Sequence, residues 1–467
     1  MSFSAFFKGR AAPAGAMRFS LRGAALRRWS AALAMIAALT FQEGFAMASG
    51  RIQELTSPGG VEAWLVEEHG LPIISIELSF EGGAVLDPEG REGLAVMLTS
   101  MLDEGAGDLD ATAFALRKDE IAARLSFDAG RDTIGAKLTM LADKREESLE
   151  LFRLALNEPL FDAEPLRKVK DQLRSIIRQH TQDPNQLASK AFFEAVFPGD
   201  PYGRSRLGTL ESIEAITAQD LREALPRLIN KGRVTVGVVG AVTAEEAGQM
   251  LDTLLGGLSD VEVTLPAATT PKIDGGFNVV DFDAPQSTLV FGHEGIARND
   301  PDFIPAYVLN YVLGGGSFSS RLTDEIREKR GMTYGIYSYL APLDRANLYL
   351  GGTSTSNEKV GEMIAAIREE WSKLAAEGPT AEELDAAKKY LTGAYALRFD
   401  SNAKIANFLV RSQMDDLGID YIDRRNDLVN AVTLEDLKRV AQRILKAEML
   451  YFSIAGRPEG LDAKQGG

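Results

Sequence analysis

Three histidines, no cysteine and one glycine-rich loop make up most of this chain's unusual chemical material. His69, His180 and His293 fall in different segments, and none has a second histidine at metal-ligand spacing. His69 sits in a turn between two expected strands, His180 near an expected helix C-terminus, and His293 after a strand beside Glu294. Solvated or capping roles are expected for all three. The lack of cysteine excludes disulfides, iron–sulfur clusters, thiolate zinc sites and a cysteine nucleophile. No G-x-S-x-G elbow is present to build a serine hydrolase.

The most distinctive stretch is Leu313–Tyr339, LGGGSFSSRLTDEIREKRGMTYGIYSY. Gly314, Gly315 and Gly316 read as a flexible turn that lets backbone approach another group closely. The run matches neither Walker A nor G-x-G-x-x-G, which argues against a phosphate site. Ser320 to Arg330 reads as a charged amphipathic helix ended by Gly331, and Thr333–Tyr339 alternates like a strand. On spacing alone, the charges of Asp324–Arg330 form a solvated face laced with helical ion pairs.

The elements that must position these residues come from a chain of 467 residues with a net charge of −16. That length suggests two domains, and the acidic balance argues against a nucleic-acid binder. Residues 1–48 carry six bases, one acid, an apolar run from Trp29 to Phe41 and the small-x-small pattern Ala46-Met47-Ala48. This is the pattern of a secretory signal peptide, with an uncleaved N-terminal anchor as the alternative. Removal of the signal peptide takes the net charge from −16 to −21 and leaves no segment apolar enough to span a bilayer. A periplasmic location is expected.

The remainder looks duplicated. Ile213–Gly240 aligns without a gap on Val429–Gly456. Thr217, Asp220, Leu221 and Gly240 recur as Thr433, Asp436, Leu437 and Gly456. Asp162–Leu173 likewise aligns on Thr380–Leu391. Thr217 and Thr433 begin capping boxes, and each helix leads to a β-branched run, Arg233–Val239 or Leu450–Ile454. Earlier strands are expected at Glu62–Val66 and Ile73–Phe80, and at Phe277–Phe282 and Ser287–Gly292. The pattern predicts an α+β fold of two tandem copies, each a mainly antiparallel sheet covered by helices on one face. The copies are expected over residues 49–260 and 276–467, with a Pro/Thr-rich linker over 261–275.

Leu313–Tyr339 resembles a motif of the insulinase/pitrilysin-type zinc peptidase family, GGG-x-F-S-S-R-L followed by R-E-K-x-G-x-x-Y. The duplicated α+β architecture resembles that family along the whole mature chain. The resemblance implies that Arg327 and Tyr334 bind the substrate backbone near the zinc, with the Gly314–Gly316 loop helping to hold the peptide. Both side chains donate hydrogen bonds suited to a carbonyl or its developing oxyanion.

Active members of the family carry H-x-x-E-H on a helix of the first domain, where two histidines bind zinc and the glutamate activates water. Here Gly93-Leu94-Ala95 matches the lead-in, but the next five residues are Val96-Met97-Leu98-Thr99-Ser100. Val96 and Ser100 replace the histidines, and Thr99 replaces the base. The third ligand, a glutamate in the region of Leu166–Ile177, is also missing, with Ser175 near its place. The expectation is a chain without metal or cofactor of its own that works beside a catalytic partner. That partner would carry H-x-x-E-H and its zinc and act on a peptide substrate. A catalytically dead scaffold or peptide-binding module of the same fold is the alternative.

Overall fold

The computed structural model describes residues 52–316 and 319–461. The signal peptide expected over residues 1–48 lies outside the described residues. Two sheets organise the chain. The first contains β1 (Ile52–Thr56), β2 (Glu62–Glu67), β3 (Ile73–Glu81), β6 (Arg124–Ala129), β7 (Thr133–Leu141) and β8 (Val234–Gly240). β4 (Gly105–Ala106) and β5 (Leu109–Asp110) form a separate short pair. The second sheet contains β9 (Phe277–Asp281), β10 (Gln286–Glu294), β11 (Ile336–Pro342), β12 (Asn347–Ser356) and β13 (Tyr451–Gly456).

The spatial orders are β1-β2-β8-β3-β7-β6 and β11-β12-β10-β13-β9. Replacing β2, β3, β6, β7 and β8 by β9, β10, β11, β12 and β13 converts one order into the other, with β1 as an added edge. The duplication read from the sequence is therefore a duplication of topology. All pairings are antiparallel except β2–β8 and β13–β9. The early strands of each copy are not direct neighbours, because the last strand of that copy lies between them. The two last strands end on the repeated glycines. Gly240 has φ +145, and a Cβ there would lie 2.2 Å from the Ile73 carbonyl oxygen. Gly456 has φ +156, with the Ser287 hydroxyl oxygen 2.2 Å from the same point.

Strand periodicity sets the layers. Along β3, Ile74, Ile76, Leu78 and Phe80 alternate onto the face that holds the first core. The helices Leu94–Met101, Arg145–Asn157, Ala218–Leu228 and Ala244–Leu255 contribute to that core. The second sheet packs in the same way against Phe303–Asn310, Val360–Glu377 and Leu434–Ile444. Thr217 and Thr433 begin their helices with complete capping boxes, as the sequence predicts.

The opposite sheet faces are not open to solvent. Helix Pro184–Val196 of the first half joins β10 and β13 of the second through Phe192 and Val196, beside Leu348 and Leu350. Helix Asn402–Met414 of the second half returns the exchange. Ile405, Ala406 and Leu409 pack on Val66 and Val239 of the first sheet. Polar groups on that face are matched rather than exposed. Asn407 donates to Glu77 at 2.7 Å, and Gln413 donates to the Val236 carbonyl at 2.9 Å. The exchange needs a residue without a side chain beneath the helix. A Cβ at Gly237 would lie 2.7 Å from the Ala406 carbonyl oxygen and 3.2 Å from Leu409. Gly237→Val is therefore expected to destabilise the protein by about 1–3 kcal/mol through overpacking. A denaturant titration would show this as a lowered midpoint, and an unchanged midpoint would refute the close contact.

Candidate functional site

Helix Leu94–Met101 holds the positions where the family's zinc motif would fall. Its start is fixed by a carboxylate rather than by an ordinary N-cap hydroxyl. Asp87 accepts from the amides of Gly93 at 2.8 Å and Ala95 at 2.9 Å. Burial pushes the Asp87 carboxyl up to about 7, against the pull of the two amides and of Arg204. On the helix itself, the Thr99 hydroxyl donates to the Val96 carbonyl at 3.0 Å, and Ser100 donates to the same oxygen at 2.8 Å. These hydroxyls bond back into their own helix turn, as Ser and Thr do in helix interiors. Thr99 is buried, whereas Val96 and Ser100 are half-buried and Ser175 is exposed on the neighbouring helix Ala163–His180. None of the four side chains is a nitrogen or carboxylate ligand for zinc. Among the described residues, no group of three or more His, Cys, Asp or Glu is placed to hold a metal ion.

The second set of residues lies at the edge of the second sheet. Tyr311–Gly315 and Thr323–Lys329 are wound wider than an α-helix, as π-helical turns, the first of which includes Gly314 and Gly315. Such winding is rare and occurs often at functional sites. The glycines serve internal packing more than a flexible turn. A Cβ at Gly314 would lie 2.3 Å from the Ser338 hydroxyl oxygen on β11, and one at Gly316 would lie 2.8 Å from the Tyr311 carbonyl oxygen. Gly315 is exposed between them. Gly314 thus approaches strand β11, while Gly315 and Gly316 approach Asn310 and Tyr311 of the preceding turns.

Arg327 rides on the second π-turn, half-buried, with Glu328 at 3.4 Å. The ion pairs expected on this helix are present, with Lys329 on Asp324 and Glu325, and Arg330 on Glu325 and Glu369. Gly331 turns the chain with φ +57, and Tyr334 follows. Tyr334 is 89% exposed, yet its backbone is held on both sides. The amide of Gly335 donates to the Thr333 hydroxyl at 3.1 Å. The Thr353 hydroxyl reaches Thr333 at 3.1 Å and the Gly335 carbonyl at 3.0 Å. The phenol is presented outward from a fixed loop. Chemically, Arg327 and Tyr334 can donate hydrogen bonds to a carbonyl oxygen, but they cannot activate water. β11 is an edge strand and begins at Ile336, later than the expected Thr333.

Two features escaped the sequence reading. His293 is not a solvated or capping histidine. It lies within β10, is 1% exposed, and shares the apolar face with Leu289 and Phe291. Its Nδ1–H donates to the Glu294 carbonyl at 2.7 Å, and its Nε2 accepts from Trp371 Nε1 at 2.9 Å. The i, i+2, i+4 spacing of Leu289, Phe291 and His293 was the available signal. The second feature is Asp87, whose cap on the Leu94 helix carries no short-range sequence signature.

Fold and site together define a duplicated α+β scaffold with no cluster of metal ligands among the described residues. Comparison with known proteins agrees. Residues 215–391 match the family described as peptidase M16 inactive domain. A non-peptidase homolog, YmxG of Helicobacter pylori, is 27% identical over 333 residues, covering 71% of this chain and 77% of that protein. A peptidase M16 inactive domain from Pseudomonas fluorescens superimposes with TM-score 0.82 at 28% identity, covering 87% of this chain and 98% of that one. The periplasmic protease PqqL of Escherichia coli shares the fold, with TM-score 0.75 at 17% identity. That match covers 88% of this chain and 46% of that one. The chain is thus similar to peptidase M16 inactive domains, in sequence over residues 215–391 and in fold over most of its length.

Proposed function

We propose that this protein is the non-catalytic, substrate-holding subunit of a heterodimeric zinc metallopeptidase in the periplasm. A partner chain with H-x-x-E-H supplies the zinc and the general base, while this chain supplies Arg327, Tyr334 and the segment that holds them. The observation that carries the reading is Tyr334, an almost fully exposed phenol on a pinned loop just beyond Arg327. A fold maintained for bulk alone has no need to hold such a ring outward. Splitting the work is chemically sound, because positioning a scissile carbonyl and activating water are separable tasks. Export rests on the signal-like residues 1–48. Among the described residues, no helix is long and apolar enough to cross a membrane.

The test is reconstitution with the candidate partner encoded beside this gene. Zinc should travel with the partner, and cleavage of an unstructured peptide should require both chains. Arg327→Ala and Tyr334→Phe are each expected to lower turnover about tenfold to a hundredfold while bound zinc stays constant. Full activity in both variants would refute the shared site. One equivalent of zinc in this chain alone would refute the division of labour.

A further inference from the structure

A cavity of about 310 Å³ opens in the second half where β11, helix Phe303–Asn310 and helix Asn402–Met414 meet. Its wall departs from the acidic character of the chain. Arg298, Arg398, Arg411 and Arg425 line it, against the single carboxylate of Asp415. That carboxylate is engaged by Arg298 at 3.3 Å. Among the described residues, none of the other three arginines forms an ion pair with a carboxylate.

Arg425 is the most telling. It is 4% exposed, and its Nη1 donates to the Leu391 carbonyl at 2.7 Å and to Asn426 Oδ1 at 3.0 Å. Its guanidinium carbon lies 4.6 Å from the centre of the Tyr395 ring and 5.5 Å from that of Tyr307. These neutral oxygens and ring faces solvate the guanidinium but bring no counter-charge to it. Ser412, 1% exposed on the same wall, has a hydroxyl without a hydrogen-bond partner. Most of the remaining lining is aromatic or aliphatic, with Phe303, Tyr339 and Phe408 among it. Tyr339 stacks on Tyr337, ring centres 6.2 Å apart, along the edge strand that follows Tyr334.

We propose that this cavity binds a carboxylate carried on an aromatic or large apolar body. The arginines and the Ser412 hydroxyl would take the carboxylate through charge-assisted hydrogen bonds, and the ring-lined wall would take the body. The inference rests on the cavity alone and is independent of any partner subunit. The ligand could be the C-terminal residue of a peptide or a free aromatic acid, and the two are separable by experiment.

The full chain, without a partner, is titrated calorimetrically with N-acetyl-phenylalanine and with its amide. The acid is expected to bind at least about tenfold more tightly than the amide, and to weaken more in about 0.5 M salt. A short peptide ending in Phe with a free C-terminus is run beside its amidated form. Tighter binding by the free peptide than by the single residue identifies a peptide end, and the reverse order identifies a small acid. Arg425→Gln should abolish binding of the acid. Because Arg425 also ties down Leu391, Ser412→Ala and Arg411→Gln are measured in parallel. Each should weaken the acid about threefold to tenfold, with the amide and the unfolding midpoint unchanged. Equal binding of acid and amide, no binding of either at about 10 mM, or indifference to all three substitutions would overturn the proposal.

Discussion

Residues 52–260 produced without residues 276–461 are expected to aggregate, and the two pieces produced together are expected to assemble into one soluble unit. The reason is the helix exchange. Alone, the first piece would expose Phe192, Val196, Phe197 and Tyr202, now packed with Ala346, Leu348 and Leu350. It would also uncover Val66 and Val239 beneath the missing Asn402–Met414 helix. Each large apolar side chain returned to water forfeits about 1.5–3 kcal/mol, while a whole domain is stable by about 5–15 kcal/mol. Losing several such contacts consumes most of that margin, and the buried Glu77 would also lose Asn407. Size-exclusion chromatography and urea unfolding of each piece, separately and co-expressed, provide the measurement. A monomeric 52–260 piece with its own cooperative transition would show that the exchange is not what holds the halves together.

The exchange also marks where sequence reasoning ends. The repeat at a nearly constant offset was visible because topology is built from local signals. The capping boxes at Thr217 and Thr433, β-branched runs and terminal glycines recur in both copies. The Gly93 lead-in is legible in the same way, since Leu94 begins a helix there, and the Thr99 and Ser100 hydroxyls turn back onto the Val96 carbonyl. Amphipathic periodicity in Pro184–Val196 announces that one face is buried, but it does not say against which sheet. The partners are contributed by β10 and β13, far along the chain. The arginine-lined cavity is hidden for the same reason. Arg298 and Arg425 meet only after the second half has folded, and neither stands in a recognisable motif. The π-turn carrying Arg327 reads in sequence as an ordinary charged helix, since the same ion pairs suit both windings.

One contribution to the stability of this protein, that of the buried His293, should be lost in acid. Desolvation lowers the pKa of His293 from 6.5 to about 4, because its core site beside Trp371 and Tyr349 offers a charge nothing to replace water. Hydrogen bonding makes the neutral ring specific. Nε2 accepts from Trp371, and a proton there would set two donors against each other. The unfolded chain takes up that proton near pH 6.5 and the folded chain only near 4. The stability contributed by neutral His293 is therefore complete above 6.5 and is lost as the pH falls toward 4. Asp87 acts in the opposite direction. Its folded carboxyl is raised to about 7, so its contribution is complete below its ordinary 3.8 and is lost as the pH rises toward 7. The two slopes offset each other in the native protein, which makes a comparison with a variant necessary. His293→Gln retains a donor and an acceptor but does not titrate, and Asp87 is present in both proteins on the other half. Between pH 7.5 and 4.5, the native protein should lose about 2.5 kcal/mol relative to the variant in urea-unfolding free energy. A difference that stays constant across that range would mean that His293 is not held neutral by its burial. A native protein that gained on the variant toward acid would mean that the folded site favours the imidazolium.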